Sequence, residues 1–366
     1  MHAPPTRTHT SSRTAMKPIR VLLVDDSAVV RGLITRWLDV ETDIEVVAKA
    51  MDGIQGVKQA GEHQPDVVVL DIEMPRMDGI TALPQILKIS PKSKVVMAST
   101  LTHRNAEITM RALSQGASDY TPKPESGGLS NAEEFRTALI GKIRALGRPA
   151  PASRTVTRPI TPPARAMRAK SGNFLKPEAL FIGSSTGGPQ ALREVMSVIG
   201  SHLCIPIFIT QHMPKTFTTV LAEHLSKSAR KLVIEGRDGM PVKPNGVYLA
   251  PGGSHMTVRQ TGSSVVIGLD QKPPENFCRP SVDPMFRSGV KIYGKRTMAL
   301  MLTGMGRDGH DGTQDMFDAG ARVLAQDEAS SIVWGMPGAI VQSGLAHEVL
   351  PLTKIGTRVL QIIQGN

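Results

Sequence analysis

The chain has 366 residues, a formal net charge of +11, and 40% apolar but only 4% aromatic side chains. It is long enough for two domains with separate cores, and it contains no run of about 18 apolar residues that would insert in a membrane. Cys204 and Cys278 are its only cysteines, which excludes a disulfide framework or a cysteine metal site and fits a reducing cytoplasm. The charge invites a nucleic-acid reading, but the excess sits in two acid-free segments. Arg7, Arg13, Lys17 and Arg20 lie in residues 1–20, and Arg148, Arg154, Arg158, Arg165, Arg168, Lys170 and Lys176 lie in 147–177. The remainder is formally neutral, so no nucleic-acid partner is expected.

Residues 1–18 are rich in Thr, Ser and Pro and read as a disordered leader, with Met16 a candidate natural start. From Ile19, short apolar runs alternate with amphipathic stretches. Strands are expected at 19–24, 44–48, 66–70, 94–98 and 117–120, and helices at 27–39, 53–61, 79–88, 104–114 and 131–146. Five strand-then-helix repeats imply a parallel sheet covered on both faces, with ligands beyond the carboxyl ends of its strands. Residues 147–177 carry Pro149, Pro151, Pro159, Pro162 and Pro163 among Ala, Ser, Thr and Arg, the composition of a stiffened linker. A second α/β domain follows at 178–366. Its strands are expected at 179–183, 205–210, 247–250, 265–269, 298–302 and 322–325, with helices at 189–199, 215–226 and 311–319. An antiparallel hairpin is expected around 256–269.

In the first domain, Asp25 and Asp26 follow the first strand and Asp71 ends the third. Three neighbouring carboxylates repel one another unless a cation sits among them, and Mg²⁺, a hard ion preferring oxygen, suits them. Ser99 ends the fourth strand and Lys123 follows the fifth. Acids, metal, hydroxyl and ammonium together describe a site that receives a phosphoryl group on a carboxylate. Each residue alone has a plainer explanation: Asp26-Ser27 suits a helix cap, and Lys123 a solvated loop.

With these residues in view, 19–146 resembles a response-regulator receiver domain, a flavodoxin-like (βα)5 fold. Val24-Asp25-Asp26-Ser27, Asp71-Ile72-Glu73-Met74-Pro75-Arg76-Met77-Asp78-Gly79 and Thr121-Pro122-Lys123-Pro124 carry the likeness. The resemblance implies that Asp71 accepts phosphate from a CheA-type histidine kinase. It further implies that Asp25, Asp26, Asp71 and the Glu73 backbone carbonyl hold Mg²⁺, and that Ser99, Tyr120 and Lys123 form the switch.

In the second domain, the apolar run Ala179-Leu180-Phe181-Ile182 enters Gly183-Ser184-Ser185-Thr186-Gly187-Gly188. Gly183, Ser185 and Gly187 match G-x-S-x-G, which exposes a nucleophilic hydroxyl on a tight strand-to-helix turn. A phosphate-binding loop is the plainer alternative, but the glycines miss the dinucleotide spacing and no Walker lysine follows. A nucleophilic Ser185 needs a base and an orienting acid. Among His202, His212, His224, His255, His310 and His347, His212 stands at a strand's carboxyl end and His255 on a glycine loop. Asp308 follows a strand that runs into glycines, whereas Asp283-Pro284 reads as a helix start with Asp as its cap. The order Ser, His, Asp departs from the Ser, Asp/Glu, His order of α/β-hydrolases.

Residues 178–366 resemble the catalytic domain of the CheB family, the chemotaxis protein-glutamate methylesterases. The matching segments are 182–188, Gln211-His212-Met213-Pro214, Ala250-Pro251-Gly252-Gly253-Ser254-His255-Met256, Arg279-Pro280-Ser281-Val282-Asp283 and Leu302-Thr303-Gly304-Met305-Gly306-Arg307-Asp308-Gly309. The family often has Ala where Ser184 stands. The resemblance implies a doubly wound, mainly parallel-sheet esterase domain. In it Ser185 is the nucleophile, His212 the base and Asp308 the acid, with backbone N–H groups of Thr186 and Met305 on the oxyanion and no cofactor. It implies a cytoplasmic, phosphorylation-activated enzyme that demethylates glutamate methyl esters and deamidates glutamines on methyl-accepting chemoreceptors. Two other readings stay open on sequence alone: a response regulator whose output domain only binds a partner protein, and a DNA-binding regulator. The second is disfavoured because nothing after 178 reads as a helix-turn-helix unit.

Overall fold

The computed structural model describes residues 17–123, 129–148 and 174–365. The expected leader through residue 16 and the expected linker from 149 to 173 lie outside the described residues.

The first half alternates β1 (Ile19–Val24), α1 (Ala28–Asp39), β2 (Ile44–Ala50), α2 (Gly53–His63), β3 (Val67–Asp71), α3 (Gly79–Ile89), β4 (Lys94–Ser99), α4 (His103–Ser114), β5 (Asp119–Pro122) and α5 (Leu129–Gly147). The strands pair in parallel in the order β2-β1-β3-β4-β5. Side-chain alternation sorts them onto two faces. Leu22, Val24, Val68, Leu70, Val95 and Met97 pack with Ala60 of α2, Leu83 and Ile86 of α3, and Met110 and Leu113 of α4. Val21, Leu23, Val67, Val69, Val96 and Ala98 pack with Ile34 and Leu38 of α1 and Phe135, Leu139 and Ile143 of α5. Both faces are covered, which is why these strands read as unbroken apolar runs. The first helix is capped by Ser27, whose hydroxyl accepts from Val30 N–H, leaving Asp26 exposed. The fifth strand begins two residues later than expected, so Tyr120 lies within it and not at its end.

The second half contains β6 (Ala179–Ser184), α6 (Gly188–Ile199), β7 (Ile207–Gln211), α7 (Lys215–Ala229), β8 (Val233–Glu235), β9 (Val247–Leu249), β10 (His255–Thr261), β11 (Ser264–Asp270), α8 (Val282–Tyr293), β12 (Thr297–Met301), α9 (His310–Asp318), β13 (Arg322–Gln326), α10 (Met336–Gln342), β14 (Glu348–Leu350) and α11 (Leu352–Gln364). Seven strands pair in parallel as β14-β13-β12-β6-β7-β9-β8, and β10 and β11 form a separate antiparallel hairpin. The 265–269 run therefore belongs to the hairpin. From β6 the chain passes to β7 on one side and later returns to β12 on the other, which opens a crevice at the carboxyl ends of these three strands. Beneath it, Phe181, Phe208 and Tyr248 occupy facing register positions on β6, β7 and β9. Their rings stack at centroid separations of 4.7 and 5.6 Å, which locks the three strands side by side.

The two sheets meet through α4 and β5 of the first half and α6 and α7 of the second. Met110, Leu113, Ala117 and Tyr120 share one apolar cluster with Leu192, Phe217, Leu221 and Leu225. The rings of Tyr120 and Phe217 stack at 4.4 Å with planes 10° apart. Gln190 Nε2 of α6 donates to Leu113 O at 2.9 Å and Ala117 O at 2.7 Å, at and just beyond the end of α4.

Candidate active site

Ser185 follows β6 at the start of α6. Gly187 takes φ +76° and forms the left-handed N-cap of that helix, and a Cβ on Gly188 would meet Gln211 Oε1 at 1.9 Å. Only glycines make so tight a turn from strand to helix. Ser184, where the family often has Ala, is fully buried and donates its hydroxyl to Gln211 Oε1 at 2.7 Å. Gln211 Nε2 in turn donates to Ser185 O at 2.9 Å. The extra hydroxyl thus holds Gln211, which in turn braces the Ser185 backbone.

His212 follows β7, and its Nε2 donates to Asp308 Oδ2 at 2.6 Å. Asp308, after β12, is 1% exposed and accepts from Ser281 Oγ at 2.6 Å, Val282 N at 2.7 Å, Gly309 N at 2.9 Å and Asn276 Nδ2 at 2.9 Å. Burial opposes its ionisation, but the imidazole and these donors outweigh it and hold its carboxyl well below the usual carboxylate range. His212 Nδ1 faces Cys278 Sγ at 3.4 Å. Burial disfavours the imidazolium, yet Cys278 and Asp308 overcome it and raise His212 to about 10. The structure thus joins His212 to Asp308 and sets Ser185 on the adjacent strand end. No hydrogen bond links Ser185 Oγ to the imidazole among the described residues.

The rival histidine is committed elsewhere. His255 is buried, its Nδ1 accepts from Ser281 N at 3.2 Å and its Nε2 lies 3.1 Å from Pro273 O. Asp283 corrects its expected role as a cap: Ser281 is the N-cap of α8, and Asp283 accepts from Gly312 N at 2.6 Å and Asn276 Nδ2 at 2.8 Å. Burial pushes Asp283 up to about 6 against the pull of Gly312 N–H, and the Asp308 charge adds to it. The N–H groups of Thr186 and Met305 donate to no partner among the described residues. The 303–306 loop lies against Ser185, since a Cβ on Gly304 would come within 3.0 Å of Ser185 N. Asn276, Cys278, Ser281 and Gln211 also bond to the site's carboxylate, imidazole or serine backbone, and nothing in their own sequence pattern signals it. Of these, only Gln211 and Ser281 fell within matched segments.

In the first half, one ligand oxygen from each of Asp25, Asp26 and Asp71 lies within 4.8 Å of the others. Lys123 Nζ stands 2.7 Å from both Asp25 and Asp71. Burial pushes Asp71 up to about 6, partly countered by Lys123 and reinforced by Asp25. Burial also works against the Lys123 ammonium, but Asp71 and Asp25 raise it overall. One ammonium against three carboxylates leaves a donor set of net negative charge, the chemistry a hard divalent cation fits. Glu73 lies two residues past Asp71 with its side chain exposed. Ser99 Oγ accepts from Thr109 Oγ1 at 3.1 Å and donates to Thr100 O at 3.3 Å, so its hydroxyl is engaged with α4 and its own loop. Tyr120 is buried against Phe217.

Fold and site define a receiver-like half joined to a second α/β half whose Ser185, His212 and Asp308 stand at neighbouring strand ends. A family model described as CheB methylesterase matches residues 180–359, and one described as response regulator receiver domain matches 21–131. A protein-glutamate methylesterase/protein-glutamine glutaminase of group 2 operon from Bradyrhizobium diazoefficiens is 49% identical, over 97% of this chain and 96% of its own. A protein-glutamate methylesterase/protein-glutamine glutaminase from Azospirillum brasilense is 47% identical over 95% and 93%. The crystal structure of the Thermotoga maritima CheB methylesterase catalytic domain superposes with a TM-score of 0.50 at 36% identity, covering 51% of this chain and all of that one. The chain belongs to the CheB methylesterase family. It is a methylesterase carrying a receiver domain, which sets aside the reading as a binding module alone. Among the described residues, no helix is long and apolar enough to cross a membrane.

Proposed function

We propose that this enzyme hydrolyses glutamate methyl esters, and deamidates glutamines, on the helices of methyl-accepting chemoreceptors in the cytoplasm. We further propose that a CheA-type histidine kinase drives it by phosphorylating Asp71. The 2.6 Å bond between His212 Nε2 and Asp308 Oδ2, at strand ends flanking Ser185, carries the chemical part. With Nε2 committed to Asp308, Nδ1 takes the Ser185 proton once the ring shifts that nitrogen from Cys278 Sγ, 3.4 Å away, toward Ser185 Oγ. Ser185 Oγ attacks the ester carbonyl, and the oxyanion is received by the N–H groups of Thr186 and Met305, a contribution of roughly 2.7–4 kcal/mol per donor in comparable sites. The imidazolium returns the proton to the departing methoxide, releasing methanol, and water then hydrolyses the glutamyl ester of Ser185. Asp308 keeps the ring oriented throughout and stabilises its charged form.

In the receiver, Asp25, Asp26, Asp71 and the Glu73 carbonyl would hold Mg²⁺, which neutralises phosphoryl oxygens as charge builds on them. Lys123 stands ready to pair with the phosphoryl group on Asp71, and Ser99 to turn from Thr109 toward it. Tyr120 carries the change to Phe217. The domains run 19–146 and 178–366, with 147–177 between them. Docking of α4 and β5 beside Ser185 favours a closed resting form, and a ten-fold activation needs only about 1.4 kcal/mol of differential stability.

The decisive experiment follows methanol release from methylated receptors. Ser185→Ala is expected to abolish it, and full activity in that variant would sink the assignment. Fragment 178–366 is expected to exceed the unphosphorylated whole chain; an equal rate contradicts inhibition by occlusion.

A further inference from the structure

We propose that Phe277 is a substrate contact, whose ring packs on the receptor helix beside the reacting side chain and seats the ester over Ser185. The proposal rests on the esterase reading above. Phe277 is the most exposed of the large apolar side chains among the described residues, at 103%. It is also held in a costly backbone conformation. Glu275 N donates to Cys278 O at 3.1 Å and Cys278 N to Glu275 O at 3.0 Å, closing a two-residue turn in which Asn276 has φ +54° and Phe277 φ +62°. Such turns favour Asn then Gly, because both central residues sit in the left-handed region. A phenylalanine in the glycine position is strained there, and its ring is not buried in the fold to compensate.

The turn is nonetheless anchored on three sides. Asn276 Nδ2 donates to Asp308 Oδ1 at 2.9 Å and to Asp283 Oδ2 at 2.8 Å. Glu275 receives both guanidinium nitrogens of Arg287, at 2.7 and 2.6 Å. Cys278 Sγ lies 3.4 Å from His212 Nδ1. The residues on either side of Phe277 therefore bond to the carboxylate and the imidazole of the site, which fixes the ring's backbone relative to the reacting atoms. A glutamyl ester is a flexible side chain on a helix, and an apolar neighbour on the same helix face gives the enzyme a second point by which to orient it.

The test uses the full chain with a small phosphodonor and two substrates, methylated receptor membranes and a small soluble ester. Phe277→Gly is expected to lower kcat/KM on receptors relative to the small ester about ten-fold, mainly through KM. Its melting temperature should hold or rise, because glycine fits the left-handed angle. Phe277→Leu should recover part of the loss. A Phe277→Gly ratio equal to that of the unaltered chain overturns the contact alone, as does an equal loss on both substrates with a lowered melting temperature. An unaltered chain that cleaves the small ester but no methylated receptor overturns both the receptor reading and the contact.

Discussion

Thr186 Oγ1 donates to Asp119 Oδ2 at 2.7 Å, so the residue after Ser185 is tied to the last strand of the receiver. Asp119 also pairs with Lys142 Nζ at 2.7 Å, and Lys142 bonds the carbonyl of Tyr120 and sits over its ring. A run of contacts thus joins α5, the tyrosine and the turn that holds Ser185. Asp119→Ala removes the acceptor, and losing a hydrogen bond to a charged group costs about 1.5–3 kcal/mol. The unphosphorylated esterase rate is expected to rise about ten-fold, with little further gain from a phosphodonor. An unphosphorylated rate unchanged from that of the parent chain would show that this contact does not hold the resting form.

Asp308→Asn keeps the size of the side chain but removes the charge that orients and stabilises the imidazolium. By analogy with other triads, kcat is expected to fall about 10⁴-fold. Steady-state methanol release at saturating substrate measures it, and a loss under ten-fold would mean His212 is oriented by other groups.

His212 gives the site its pH dependence. In the proposed mechanism its base form accepts the serine proton, and with a pKa of about 10 the ring is mostly protonated at neutral pH. Esterase activity is therefore expected to rise from pH 7 toward about 10. Cys278→Ala removes one of the two groups that hold the pKa up, so the rising limb should move to lower pH. For stability the sign is opposite. The raised pKa makes His212 contribute fully below about 6.5, and that contribution disappears as pH rises through about 10. A pH–rate profile and a pH series of melting curves report the two effects separately.

Gly252 lies against the turn that follows His212. A Cβ there would meet Lys215 N at 2.2 Å, Pro214 C at 2.3 Å and Met213 O at 2.6 Å, all of them backbone atoms that no rotamer change can move aside. Gly252→Ala is expected to destabilise by about 1–3 kcal/mol, lowering the melting temperature by roughly 2–10 °C. Calorimetry measures this, and activity should fall with it as His212 shifts.

The parts legible in the sequence are those set by local pattern. Runs such as Val67-Val68-Val69-Leu70 read as buried strands, and the strand ends then pointed to Asp71, Ser185 and His212. The three-residue strands Val233–Glu235 and Glu348–Leu350 were missed because so short an edge strand carries no period. Asp283-Pro284 marks the start of α8, but the cap is Ser281 and Asp283 serves the Gly312 amide, a contact 29 residues away that no local pattern shows. The ties of Asn276 to Asp308 and of Thr186 to Asp119 join residues 32 and 67 positions apart, and no spacing rule reaches that far.

The stack of Tyr120 on Phe217 lies within a single polypeptide, so its occupancy does not vary with the number of molecules in the cell. A tether supplies an effective concentration in the millimolar range, enough for a modest contact face that would hardly hold two free proteins together. Dilution cannot open the enzyme and overexpression cannot close it. Under the control proposed above, what remains to set the fraction at work is the chemical state of Asp71, and the response would be gauged by signal and not by dose.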